Sequence, residues 1–379
     1  MPRGSVRKRG KRWYYQFYEN GKLIERVAGD TKEEAIKKLN EELNRQYKGY
    51  ERPQEIKLKD YLNEWLEEYI KPNRAENTYY KYKNAIEKRI NPIMGNVRLC
   101  DLKPFYIDKM IRELKKDKLS NTTIQKYYQT LNTALNRAER MQIIINNPCK
   151  YVEKPKRDKY KANILTIDEL KLICSSLDMK KFEDYIFKLA LDITIETGIR
   201  RGELCGLTWD NINFKEKYIS IEKSMKRVDK NYVIGKLKTE KSNRKIPISE
   251  ELLQKLNKHK IKQHENKLLY GEYYINPEIS RKNELIFRKE NGDFIIPSRF
   301  LQRLKRICKK NGIEKNIRWH DLRHTNATIL LGQNVNMKII QERLGHSLME
   351  TTANIYSHVT EKMNMEATQK ITSIIKELY

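Results

Sequence analysis

The stretch HDLRHT, residues 320 to 325, puts His320, Arg323 and His324 at i, i+3 and i+4, so on a helix they share one face. Further on, LGHSLMETTANIYSHV sets His346 ahead of Tyr356 across a small polar turn. TGIRRGELCGLTW places Arg200 just after a helix-ending glycine and Glu203 three residues later, where it can hold the guanidinium in one orientation. An arginine so held presents a rigid fork matched to phosphate oxygens. GKLKTEKSNRKIPIS carries Lys238 near a turn rich in Lys, Ser and Asn. A lysine crowded by other cations titrates lower and becomes a usable proton donor. Taken singly, each stretch also suits an ordinary solvated surface, and most of the 23 tyrosines must be packing residues.

Together these stretches supply two arginines, a lysine, three histidines and a tyrosine. They bring no carboxylate cluster for magnesium and no G-x-x-x-x-G-K-[ST] loop for a nucleotide. Such a set is built for an anion, and a phosphodiester is its natural substrate. The cations would stabilise charge growing on the equatorial oxygens during displacement. Free tyrosine has a pKa of about 10, so about a thousandth is ionised near neutral pH, and neighbouring cations lower that value. Attack by a tyrosine on phosphorus gives a covalent ester and needs neither ATP nor metal. Two rivals exist. HDLRH resembles the zinc arrangement H-E-x-x-H with Asp321 where the glutamate should be, but aspartate is a carbon short and Arg323 would repel the metal. A DNA-binding protein without catalysis, such as a repressor, accounts for the charge and leaves the motif set unexplained.

Charge is the strongest global signal. Lys plus Arg number 78 against 50 Asp plus Glu, a net +28. A chain this basic attracts polyanions, nucleic acid first, with an affinity that falls steeply with salt. Five scattered cysteines, Cys100, Cys149, Cys174, Cys205 and Cys308, never form C-x-x-C, which argues against a disulfide framework or thiolate zinc site. No run of about 18 apolar residues suggests a membrane span, and the basic start lacks a signal peptide's apolar core. A soluble, cytoplasmic protein with no membrane partner is expected.

The elements that must position these residues read as a multidomain chain, mainly α with small β-sheets. Residues 1–50 open on Arg3, Arg7, Lys8, Arg9, Lys11 and Arg12, with no acid among the first twelve. A strand–Asn20-Gly21–strand hairpin follows, then a helix with Thr31 as N-cap and Glu34 at the box position. This small sheet with one helix could read DNA through a β-ribbon. Residues 56–146 carry four periodic helices. Residues 147–163 form a basic, proline-bearing linker with Lys154, Lys156 and Arg157. Residues 164–379 mix helices and strands, beginning with a capping box at Thr166 and Glu169 and including a hairpin through Asn291-Gly292.

In order, TGIRRGEL, KLKTEKSNRKIPI, HDLRHT, LGHS and NIYSHV resemble the motifs of the tyrosine recombinase (integrase) family, of the phage and conjugative-transposon type. The resemblance covers essentially the whole chain, most closely residues 165–360. It implies an arm-binding domain at 1–50, a helical core-binding domain at 56–146 and a catalytic domain at 164–379. It implies that Arg200, His320, Arg323 and His346 bind and activate the scissile phosphate, with Glu203 in support. Lys238 would protonate the leaving 5′-oxygen, although Lys236 and Lys241 compete for that role. Tyr356 would form a 3′-phosphotyrosyl link without metal or cofactor. The implied partners are double-stranded DNA attachment sites, a homo-tetramer on two such sites, and an accessory DNA-bending or excision factor. The implied setting is the bacterial cytoplasm, at the nucleoid when DNA is bound. A last helix carrying Met365, Ile371, Ile374 and Ile375 would dock on a neighbour or pack within its own chain.

Overall fold

The computed structural model describes residues 4–19, 21–47, 56–158, 162–229, 231–237, 242–280 and 284–345. The chain divides into two compact units, Met1–Lys159 and Tyr160–Tyr379. It is mostly helical, with small antiparallel sheets.

The first unit opens with strands β1 (Gly4–Arg9), β2 (Arg12–Glu19) and β3 (Lys22–Gly29), paired in that order, and helix α1 (Lys32–Tyr47). Glu19 pairs with Lys22 across the expected two-residue turn, with Gly21 at φ 78°. A right-twisted hairpin needs a positive φ there, and glycine supplies it without steric cost. Strand alternation buries Tyr15 and Phe17 against Ala35 and Leu39 of α1. The Thr31 hydroxyl accepts from the Glu34 amide at 3.3 Å, as the capping signature anticipates. The basic opening, read from sequence only as a charged arm, is an edge strand. Its Arg7 reaches Glu25 of β3 at 2.5 Å, and charge along an open edge discourages pairing with other chains.

Helices follow. α2 (Leu58–Glu64) runs through a π-helical stretch, Trp65–Ile70, into α3 (Lys71–Asn73). α4 (Glu76–Ala85) likewise runs through Ile86–Ile90 into α5 (Asn91–Met94). α6 (Pro104–Lys116) and α7 (Asn121–Arg140) complete the four expected rods. Ile124, Tyr128, Leu131, Leu135 and Ala138 of α7 are buried on one stripe against Leu62, Trp65, Ile86 and Met110. Residues 147–158 lie along this helix. The Tyr128 hydroxyl donates to Cys149 O at 2.8 Å, Gln125 donates to Pro155 O at 2.7 Å, and Asp158 accepts from the Thr122 amide at 3.1 Å.

The second unit is built on α8 (Ile167–Ser175), α9 (Phe182–Thr197) and the short α10 (Arg201–Cys205). Strands β4 (Ile212–Asn213) and β5 (Tyr218–Ile221) lead to the hairpin β6 (Lys223–Val228) and β7 (Asn231–Lys236), then β8 (Arg244–Pro247), which pairs back onto β5. Helices α11 (Glu250–Tyr270), α12 (Pro297–Lys310), α13 (Trp319–Gly332) and α14 (Met337–Leu344) follow. Phe187, Phe287, Phe300, Leu304, Trp319 and Leu322 lie in the main core. Thr166 and Glu169 cap α8 reciprocally, at 3.1 and 2.7 Å. The segment around Asn291-Gly292 is less regular than the expected hairpin. A single bridge, Arg288 to Phe294, closes the turn. The preceding backbone instead bonds to Leu207 and Trp209.

Candidate active site

α9 ends because Gly198 turns left-handed, at φ 64°. A side chain there would put a Cβ 2.3 Å from Leu344 Cδ2 and 2.8 Å from Asn326 Oδ1. Chain reversal at Gly198 sets Arg200 at the N-cap of α10. The Arg200 amide donates to Glu203 Oε2 at 3.0 Å, and its guanidinium donates to Glu203 Oε1 at 2.7 Å. Glu203 therefore caps its own helix and orients the fork, as the three-residue spacing anticipates. It is also buried, and it takes a second guanidinium, Arg244 from β8, at 2.8 Å. Burial opposes ionisation of Glu203, but Arg244 and Arg200 outweigh it and hold the carboxyl below its usual range.

α13 supplies the next two groups. Its first turn is capped by Asp321, fully buried, which accepts from the Arg318 amide at 2.8 Å and from its guanidinium at 3.1 Å. The residue that stood in for a zinc-site base thus has a capping task. Arg323, two residues on, is buried. It donates to Gly198 O at 2.8 Å and to Leu344 O. Burial disfavours its charge, and Arg200 and Arg244 add to that, while Glu203 opposes them. His320 lies on the same helix face, stacked edge to face on His324 at 4.9 Å. Desolvation, then His324, Arg323 and Arg200, push the His320 ring down to about 4. All of these disfavour the charged ring, so the neutral form predominates at pH 7. Among the described residues no three His, Cys, Asp or Glu side chains converge as metal ligands.

The parts meet at the carbonyl end of α14. Arg244 Nε donates to Arg343 O at 2.9 Å, Arg323 donates to Leu344 O, and Arg200 Nη2 donates to Gly345 O at 3.1 Å. Three successive carbonyls, orphaned by the helix end, are each taken by an arginine from a different element. Gly345 closes the helix at φ 63°, and His346 is the next residue in the chain. Arg200, Glu203, His320 and Arg323 are thus brought together. Lys238, His346, Tyr356 and Arg3 lie outside the described residues, as do Lys241, Asn20 and the last helix with Met365, Ile371, Ile374 and Ile375. Lys236 ends β7, exposed, its carbonyl accepting from Lys226 at 2.8 Å. Lys8, Arg9, Lys11, Arg12, Lys154, Lys156 and Arg157 are exposed, as is Arg7 with its Glu25 partner.

Arg244 is the member that sequence reasoning missed. A signal was present: it shares strand parity with Ile246, which is fully buried, so it must point to the covered face and find a counter-charge there.

The phage integrase family model matches residues 163–363, and the phage integrase N-terminal SAM-like domain matches residues 57–115. The chain belongs to the phage integrase family. This tyrosine recombinase is 31% identical to a XerC-like tyrosine recombinase of Caldanaerobacter subterraneus subsp. tengcongensis, over 94% of this chain and 93% of the relative. It is 26% identical to the ICEBs1 integrase of Bacillus subtilis, over 80% and 79%. Among solved structures, the recombinase shares its fold with the Tn1549 transposon integrase in complex with circular intermediate DNA: TM-score 0.69, 22% identity, 83% of this chain and 99% of that one. The lambda integrase tetramer bound to a Holliday junction matches at TM-score 0.60 and 18% identity, over 89% and 92%.

Proposed function

We propose that this recombinase of a mobile element works at double-stranded DNA attachment sites, joining Tyr356 to the 3′-phosphate of the cut strand. Arg200 and Arg323 take the non-bridging oxygens: Glu203 orients the first fork, and the second exchanges a carbonyl partner, Gly198 O or Leu344 O, for phosphate. The Tyr356 hydroxyl gives up its proton to a neutral base as its oxygen bonds to phosphorus and the bond to the 5′-oxygen breaks, and Lys238 gives the 5′-oxygen a proton. A neutral His320 is free to accept a hydrogen bond or a proton, which an imidazolium could not do. Religation runs the same steps backwards with a new 5′-hydroxyl. The phosphotyrosyl ester conserves the bond energy, so no nucleotide is spent. The observation that carries this reading is the convergence of Arg200, at the start of α10, with Arg323 and His320 of α13 at the helix end immediately before His346 in the chain.

The exposed cations of residues 1–50, Arg7, Lys8, Arg9, Lys11 and Arg12 with Arg3, would grip arm sites. Residues 56–146 and the basic Lys154, Lys156 and Arg157 of the linker would grip the core site. Four protomers would assemble on two sites, as the lambda integrase tetramer does on its junction, with an accessory DNA-bending or excision factor setting direction. The test is a nicked attachment site that traps the covalent protein–DNA adduct. Wild type should form it, and Tyr356→Phe should bind the same DNA yet form none. Undiminished adduct from Tyr356→Phe would end the reading.

A further inference from the structure

We infer that Arg244 is a positioning residue for strand cleavage: it ties the carboxylate that orients Arg200 to the helix end that precedes His346. The inference rests on the function proposed above. The Arg244 side chain is 6% exposed, against 35% for Arg200, so its guanidinium is turned away from solvent. Its three nitrogens are all engaged: Nη2 with Glu203 at 2.8 Å, Nε with Arg343 O at 2.9 Å, and Nη1 with Ser242 O at 3.1 Å. Those three acceptors belong to α10, to α14 and to the loop before β8. A planar fork spans all three, whereas a lysine, with one nitrogen on a flexible stem, holds fewer of them at once.

The contact is close as well as polar. A Cβ on Gly345 would lie 3.1 Å from Arg244 Cδ, so the end of α14 sits directly against this stem. Arg343 pins the same helix end from the other side, donating to Glu196 O at 2.9 Å. Arg244 therefore does not need to touch DNA to matter. If the link is cut, Glu203 and Arg200 are free to shift, and the helix end is free to shift relative to them. A misplacement of about 1 Å can cost about 100-fold in rate.

The experiment uses full-length protein, a nicked attachment-site duplex, and four variants: R244Q, R244K, E203Q, and E203Q combined with R244Q. Single-turnover adduct formation is followed over a range of DNA concentrations, giving a saturating rate and a half-saturating concentration. R244Q should lose about 100-fold in rate with half-saturation within about twofold of wild type. R244K should recover only part of that loss. The double variant should be no slower than the slower single variant, since both act through one link. Wild-type rates in both R244Q and R244K would overturn the inference. So would a loss confined to half-saturation, which would make Arg244 a DNA contact, or losses that multiply in the double variant. If R244Q does not fold, R244K decides by the same criteria. Failure of wild type to form any adduct would instead overturn the parent reading, so the two failures are distinguishable.

Discussion

Glu203→Gln is the most direct probe of how the site is held. Glutamine keeps the shape but replaces a carboxylate with an amide, one end of which presents hydrogens to a guanidinium. Glu203 is 2% exposed and sits 2.7 Å from Arg200 and 2.8 Å from Arg244. Removing one partner of a buried ion pair costs roughly 3–5 kcal/mol. Arg200, partly exposed, can recover hydration; Arg244 cannot. The expected loss is therefore near the lower end, about 3 kcal/mol of local stability. Hydrogen exchange of the α10 and β8 amides in the full-length protein reads that opening free energy directly. The acid dependence has a definite sign. The Glu203 carboxyl titrates below its usual range because Arg244 and Arg200 overcome its burial. Its stabilisation is thus present above the unfolded pKa of about 4.3 and disappears as pH falls through the lower folded value. The gap between wild type and Glu203→Gln should narrow under acid conditions. A loss below about 1 kcal/mol at pH 7, in the range of an exposed pair, would refute the argument that this buried carboxylate is what balances Arg244.

Gly198→Ala combines a left-handed φ of 64° with a methyl 2.3 Å from Leu344 Cδ2. It should cost about 2–4 kcal/mol from backbone strain and overpacking, visible as a lowered melting temperature; an unchanged melting curve would contradict the packing described. His259, buried with Nε2 2.8 Å from Ile286 O, is pushed down to about 4 by burial. The unfolded chain then binds the proton first, so stability should fall as pH drops from about 6.5, by about 3 kcal/mol at pH 4. His259→Gln should flatten that part of the urea-unfolding profile, and an equally steep profile would exclude His259 as its source. Affinity for attachment-site DNA should fall steeply with salt, log K dropping by roughly 0.9 per phosphate contact; a flat dependence in a fluorescence titration would contradict a binding surface built from exposed lysines and arginines.

Much of the candidate site was legible because its residues stand at punctuation. Gly198 ends a helix, Glu203 lies three residues after Arg200, and His320 and Arg323 share a helical face. Elements whose inward faces are polar were harder to read. α11 hides its stripe because His259 and Gln263 stand where apolar residues would mark it; they bond to Ile286 O, to Leu285 O and to the Trp209 indole instead. β1 escaped notice for a related reason. An edge strand with Val6 as its inward-packed residue has no alternation to detect. Arg244 was obscured by its neighbours, since a run of lysines and arginines looks uniformly solvated until β5 fixes which of them turns inward. Asp321 shows the reverse case: a motif position that suggests chemistry serves to start a helix.

The crowding of Arg200, Arg244 and Arg323 about one carboxylate leaves that corner two positive charges in surplus. Like charges held this close repel one another, and under the function proposed above a backbone phosphate would relieve that repulsion. If so, occupancy by DNA and firmness of this corner should rise together.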